Sequence, residues 1–502
     1  MHDLKKRTLG VLTPIFSLPN KYGIGDFGSC SYNFIDYLKG SSVSVWQILP
    51  LVQTDCGNSP YSSVSGASIS PFYVSPELLL KEKLITKQEE KDLIFAGNRV
   101  DYGFLYEKRY SVLRKAFSRF NKADKEFVKA VKSKKYLGYA LFMTIKKALD
   151  NKPLWEWDEK LRNRDDFALK EFSKQNKEEI LFWQFIQYLA NKQWQAVKSY
   201  ANKNGIKILG DMPLYVALDS VDVWQNPELF KISKEFVPKK VAGVPPDYFC
   251  SDGQLWGNPV YDYENHLKTN FSWWAGRIKD ALTKYDLVRI DHFRGLDRYY
   301  EIDYGAQNAK VGEWVTVPSN EMFSVIKAKF SKEKIIAEDL GVIDDGVRAL
   351  LTKTGYPGMK VLSFAFNNDK FNPHLPENSP ENSVCFTGTH DNDTLMGLLK
   401  SLGGQEKQVF ITALKQSLTN FGLKFTLKTD RNITTALINL GFASNSKLFI
   451  LPLADVLYKD SSYRINAPGV ISDSNWSVRF NKKDFNEKTK LYLKNLTKKY
   501  KR

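Results

Sequence analysis

Residues 286–293 read DLVRIDHF and residues 334–340 read KIIAEDL. Each is a short apolar run, rich in β-branched residues, that closes on a carboxylate. Near-continuous apolar runs of this length fit strands of a parallel sheet buried on both faces. Six further runs of the same kind lie outward from these two: 9–13 (LGVLT), 43–50 (VSVWQILP), 206–213 (IKILGDMP), 359–366 (MKVLSFAF), 384–390 (VCFTGTH) and 447–454 (KLFILPLA). Segments of helical period follow several of them, as at 31–39 (SYNFIDYLK) and 319–330 (SNEMFSVIKAKF). Eight strands with helical connections predict an α/β fold, a (β/α)8 barrel forming one domain over residues 1–502.

Two connections are longer than a barrel needs. Residues 65–205 read as a largely helical insertion. Within it, Ser75-Pro76, a cap residue followed by a first-turn proline, reads as a helix start, and 178–200 is a long amphipathic stretch. Residues 215–275 read as a second, loop-rich insertion. Only 48 residues follow the eighth run, which suits a loop and a closing helix but not a C-terminal β-domain.

Composition sets the class. An apolar share of 43% with 26% charged residues is that of a globular protein. The aromatic share of 14% suits rings that cover the apolar faces of sugars, and a large core explains it equally well. The net charge of +17 first suggests a polyanion partner, but the lysines are scattered. The densest run, 482–502, has Leu491, Leu493 and Leu496 among lysines, as in a final helix with a solvated face. Solvated surface is favoured over nucleic-acid binding. Four distant cysteines without a CxxC pair predict no disulfide framework. The first ten residues carry no long apolar run, and no stretch of 18 apolar residues occurs. A cytoplasmic protein with no membrane partner is therefore expected.

In a barrel, chemistry gathers at the C-terminal ends of the strands. Those ends carry Asp211, Asp291, Glu338 and Asp391. Such a cluster suits glycosyl transfer, in which one carboxylate attacks the anomeric carbon and another protonates the leaving oxygen. It equally suits Mg²⁺ or Ca²⁺ binding, or pairing with rim arginines. Local context shifts the balance towards glycosyl transfer. Arg289 and Asp291 are two apart on a strand and so share a face, where the cation keeps Asp291 ionised as a nucleophile requires. Apolar neighbours in IAEDL raise the pKa of Glu338, as a general acid requires. His390 places a donor beside Asp391.

These residues also carry a resemblance. The segments SLPNKYGIGDFG (17–28), WQILPL (46–51), GNSPYSS (57–63), GDMPLYV (210–216), VAGVPPDYF (241–249), GQLWGNPVYD (253–262), VRIDHFRG (288–295), AEDLG (337–341), GYPGMKVLSFAF (355–366), TGTHDNDT (387–394) and RINAPG (464–469) occur in order along nearly the whole chain. The chain resembles the 4-α-glucanotransferases of the amylomaltase, or disproportionating-enzyme, family (glycoside hydrolase family 77, α-amylase clan). The resemblance implies a retaining transglycosylase acting on α-1,4-glucans, maltooligosaccharides and glucose, without cofactor or metal. It implies Asp291 as nucleophile, Glu338 as acid/base and Asp391 as the residue that grips the sugar in its distorted transition state. Arg289, His390 and Asp211 match residues around the cleaved bond, and Tyr61 an aromatic platform there. The loop 243–256 matches an active-site lid. Gln254 and Trp256 would touch glucan, and Tyr248 and Phe249 would help cover the site. Asn466 matches an acceptor-binding asparagine. The sequence departs from the family pattern at 65–71 (SGASISP), at Leu398 in place of Trp and at Val470 in place of Thr.

Gly23-Ile24-Gly25-Asp26-Phe27-Gly28 fits the dinucleotide fingerprint G-x-G-x-x-G. Pro14 and Pro19 separate it from the strand, so it reads as a rim loop. Three other functions compete with transfer: a plain α-glucan hydrolase, a catalytically dead glucan-binding protein and a basic nucleic-acid binder. Intact Asp291, Glu338 and Asp391 argue against the second.

Overall fold

The structure, a computed structural model, describes residues 6–54, 57–246 and 251–502. All eight expected strands form: β1 (Thr8–Leu12), β2 (Val45–Gln47), β3 (Lys207–Met212), β4 (Leu287–Ile290), β5 (Ile335–Ala337), β6 (Gly358–Val361), β7 (Ser383–Phe386) and β8 (Leu448–Pro452). Their order in the sheet is β6-β7-β8-β1-β2-β3-β4-β5, and every neighbouring pair is parallel. The Ala337 N–H at the end of β5 donates to the Pro357 carbonyl just before β6 at 3.0 Å, which links the two ends of the sheet into a barrel. Apart from β1, the strands are shorter than the apolar runs. β2 keeps only three residues, although Ile48 N–H still donates to Leu209 O at 2.9 Å beyond its end.

Among the described residues, eight α-helices lie between β2 and β3. Pro76 opens the helix Pro76–Lys81 with Ser75 at the cap position, as expected. The cap bond itself does not form. The Ser75 hydroxyl makes no hydrogen bond among the described residues, and its backbone N–H donates instead to Gln193 Oε1 at 2.8 Å. The last of these helices, Lys177–Lys203, buries Phe182, Phe185, Ile186, Leu189, Trp194 and Val197 at three- and four-residue spacing. It leads directly into β3, and Trp194 Nε1 donates to Lys284 O at the end of the helix Ser272–Lys284. It therefore serves the barrel as well as the insertion.

The loop-rich region holds structure that the sequence reading did not foresee. Lys240–Val244 pairs antiparallel with Gln254–Pro259 and with Arg298–Asp303, and the latter pairs with Glu313–Thr316. This four-stranded sheet joins the β3–β4 and β4–β5 connections over its own small cluster of Val241, Tyr300, Ile302 and Ala309. After β8 no further strand occurs among the described residues, and the helix Glu487–Lys499 closes the chain. Leu493 and Leu496 are buried against the barrel, whereas Leu491, expected beside them, is 53% exposed on the lysine face. The glycine-rich stretch is a packing loop. Gly28 caps the helix Ser29–Gly40 and donates its N–H to buried Asp26 at 2.8 Å.

Candidate active site

β3 and β4 are in register with Asp211 opposite Arg289. Both side chains point into the barrel mouth, where Arg289 Nη1 lies 2.6 Å from Asp211 Oδ2 and Nη2 lies 2.8 Å from Asp291 Oδ1. One guanidinium thus bridges two carboxylates. The Tyr61 hydroxyl donates to Asp211 Oδ2 at 2.7 Å. Burial pushes the Asp211 carboxyl up from its usual range, with Arg289 pulling it back and Asp291 adding to the rise. The same two negative neighbours hold the Arg289 cation more firmly than burial alone would.

Glu338 follows β5 as Asp291 follows β4. Its N–H donates to Ile290 O at 3.0 Å, and its carbonyl receives the Phe293 N–H at 2.9 Å, so the two strand ends are laced together. Its carboxyl oxygens are both held by backbone donors, His292 N–H at 2.6 Å on Oε2 and Leu340 N–H at 2.8 Å on Oε1. Burial nevertheless pushes its pKa up to about 8; Arg289 and the Leu340 N–H oppose the rise and the Asp291 charge reinforces it. The expected effect on Glu338 is therefore present, with its main cause in desolvation.

Asp391 stands differently. β7 ends at Phe386, so Asp391 belongs to the loop beyond and not to the strand end. That loop is braced: Asp391 N–H donates to Thr389 Oγ1 at 3.3 Å, and Arg464 Nη2 donates to Asp391 O at 2.6 Å. Asn466 Nδ2 donates to Asp391 Oδ1 at 2.7 Å, and His390 Nε2 lies 3.3 Å from Oδ2. The His390 ring stacks on Tyr61, centroids 5.0 Å apart and planes 9° from parallel, with Trp476 against both. One face of the Tyr61 platform is thus taken by His390. The Asp291 and Asp391 side chains are 27% and 40% exposed, while those of Asp211 and Arg289 are 0% and 4%. Asp291 and Asp391 are thus open to a ligand, while Asp211 and Arg289 behind Asp291 are closed.

Gln254 and Trp256 lie on the Gln254–Pro259 strand, with Trp256 Nε1 donating to Gln254 Oε1 at 3.2 Å. Trp256 is 36% exposed and meets the His292 ring edge-on, centroids 4.8 Å apart at 88°. Tyr248 and Phe249 lie outside the described residues. Of the departures, Val470 is exposed and Leu398 half-buried. A cavity of about 290 Å³ adjoins Tyr61 and Asp211, walled by Tyr215 and Trp273. Among the described residues no set of three His, Cys, Asp or Glu side chains is placed to hold a metal ion. Sequence reasoning passed over His292, Arg464 and Trp476. His292 was visible beside Asp291 in VRIDHFRG and Arg464 at the head of RINAPG, whereas Trp476 acts across the fold and left no local signal.

A family model described as 4-alpha-glucanotransferase matches residues 13–484. A 4-alpha-glucanotransferase of Clostridium butyricum is 40% identical over 93% of this chain and 94% of its own length. One from Synechocystis is 41% identical over 99% of this chain and 98% of its own. Among solved structures, an amylomaltase from Streptococcus agalactiae in complex with acarbose is 38% identical with a TM-score of 0.93, covering 99% of this chain and 100% of the other.

Proposed function

The chain belongs to the 4-alpha-glucanotransferase family, glycoside hydrolase family 77, and from that premise we propose how its carboxylates transfer glucan segments. The enzyme moves an α-1,4-glucan segment from a donor to an acceptor glucan or glucose. Asp291 attacks the anomeric carbon as the bond to the leaving 4-oxygen breaks, and Glu338 gives that oxygen its proton. A glucosyl ester on Asp291 results. Glu338, now a carboxylate, takes the proton from the 4-hydroxyl of the acceptor. That oxygen displaces Asp291, and two inversions give net retention. Asp391 grips the sugar hydroxyls, and Asn466 and Arg464 keep it in place.

The observation that carries this reading is the contrast between two neighbouring carboxyls. Asp291 is paired with the Arg289 cation, while Glu338 is raised to about 8 and so holds a proton at neutral pH. Arg289 and His390 supply positive or donor partners, so no metal is needed and activity should survive exhaustive EDTA treatment. A cytoplasmic setting is supported by Cys30 and Cys385, both buried and unpaired.

Transfer and hydrolysis share the ester; they differ in whether water or a sugar hydroxyl reaches it. Trp256 and the hairpin that carries it flank the site and favour the sugar by excluding water. Maltotriose should give glucose and a ladder of longer maltooligosaccharides with little rise in total reducing ends. Conversion to glucose and maltose, with reducing ends rising in step, would identify a hydrolase instead.

A further inference from the structure

His292 has two contacts that no other described residue combines. Its backbone is left-handed, at φ 45° and ψ 50°, a conformation that residues with a Cβ seldom adopt. That conformation aims its N–H at Glu338 Oε2, 2.6 Å away. Its ring, meanwhile, packs edge-on against Trp256 on the Gln254–Pro259 strand. Gly295 keeps the space for this ring, since a Cβ there would lie 2.9 Å from His292 Cδ2. The ring Nε2 is buried without a hydrogen-bond partner among the described residues, and burial lowers the ring pKa to about 4. The ring is therefore neutral and acts here by packing.

Resting on the assignment of Glu338 as acid/base, we propose that His292 is a positioning residue that couples the Trp256 strand to the Glu338 carboxyl. Strain retained in a left-handed non-glycine residue marks a position over-determined by its surroundings. Here those surroundings are the acid on one side and the aromatic cover on the other. A glucan that presses on Trp256 presses on the His292 ring, and the same residue's N–H fixes where the Glu338 proton points. Water can follow the departing chain only if Trp256 shifts, and its shift would misalign the Glu338 needed to activate that water. The coupling thus favours transfer over hydrolysis.

The test separates ring from backbone. His292→Gly keeps the left-handed backbone and its N–H but removes the ring; His292→Phe keeps the edge-on packing without the nitrogens. In His292→Gly the ratio of transfer to hydrolysis on maltotriose should fall at least fivefold, with the alkaline limb of the kcat/KM profile unmoved. His292→Phe should hold the wild-type ratio. Because one contact is shared, His292→Gly with Trp256→Ala should lower the ratio no further than Trp256→Ala alone. An unchanged ratio in His292→Gly, a fall in His292→Phe equal to that in His292→Gly, or multiplicative effects in the double variant would each overturn the proposal. Glu338→Gln separates the two levels: if it retains more than a hundredth of wild-type kcat, the assignment of Glu338 itself is wrong, whatever the His292 variants do.

Discussion

At the residue scale, the site depends on how neighbouring groups hold its carboxyls. In the proposed mechanism Glu338 must carry a proton to release the leaving chain. Its folded-state pKa, raised to about 8, means that the proton is present below that pH and lost as pH rises through it. The kcat/KM for maltotriose should therefore fall above about pH 8, approaching a tenfold loss per unit. A profile flat to pH 10 would exclude Glu338 as the acid. Arg289 is the second dependence, because one guanidinium satisfies both Asp211 and Asp291. Breaking a buried pair by removing one partner costs roughly 3–5 kcal/mol. Arg289→Ala should lower both the melting temperature and kcat/KM, the latter by at least a hundredfold. Arg289→Lys should rescue little, since an ammonium cannot make the two-armed bridge. Sequence spacing made Arg289 and Asp291 legible as a pair; the third partner, Asp211, comes from another strand and required the register.

At the element scale, the floor of the barrel is held by two arginines from distant parts of the chain. Arg502 donates to the carbonyls of Gly441, Phe442, Ser444 and Ser446. Arg7 donates to Phe442 O, Ser444 O and Tyr500 O. Three of these carbonyls, at 441, 442 and 444, lie at the C-terminal end of the helix Asp430–Ala443, where a cation suits both the open carbonyls and the helix dipole. Hydrogen bonds to charged groups contribute about 1.5–3 kcal/mol each, though not additively. Arg502→Ala should lower the thermal midpoint measurably while leaving kcat at 25 °C close to wild type, because the site lies at the opposite end of the strands. A second element-scale contact lies within β3. A Cβ on Gly210 would collide with the Tyr285 ring. Gly210→Ala should destabilise the fold by about 1–3 kcal/mol through overpacking, measured by denaturant unfolding.

At the scale of the whole molecule, two bodies of unequal strength share the site. The barrel strands belong to the main apolar core, whereas the four-stranded sheet that carries Trp256 meets that core through Ala242 and Tyr299 and on its other face rests on the small cluster of Val241, Tyr300, Ile302 and Ala309. Its outer strands, Gln254–Pro259 and Glu313–Thr316, expose most of their side chains. Stability is distributed accordingly. Native-state hydrogen exchange should find the amides of β1–β8 slowest and those of residues 240–244, 254–259 and 313–316 markedly faster. Equal protection in both would mean that the small sheet unfolds only with the barrel. No described helix is long and apolar enough to cross a membrane.

The eight barrel strands were legible because a strand buried on both faces must be apolar along its whole length, and that pattern is local. Asp291 and Glu338 were legible for the same reason: a carboxylate closing such a run is conspicuous. The four-stranded sheet was not. Its strands are short, only the inner two are mostly buried, and they come from two successive connections, so no periodicity announced them. Tertiary structure alone decided that Asn466 and Arg464 hold Asp391, that His390 covers a face of Tyr61, and that His292 stands between Trp256 and Glu338. Each is a contact between segments brought together by barrel closure. A hydrogen bond across such a separation constrains geometry at both ends but leaves the local pattern of apolar and polar residues unchanged.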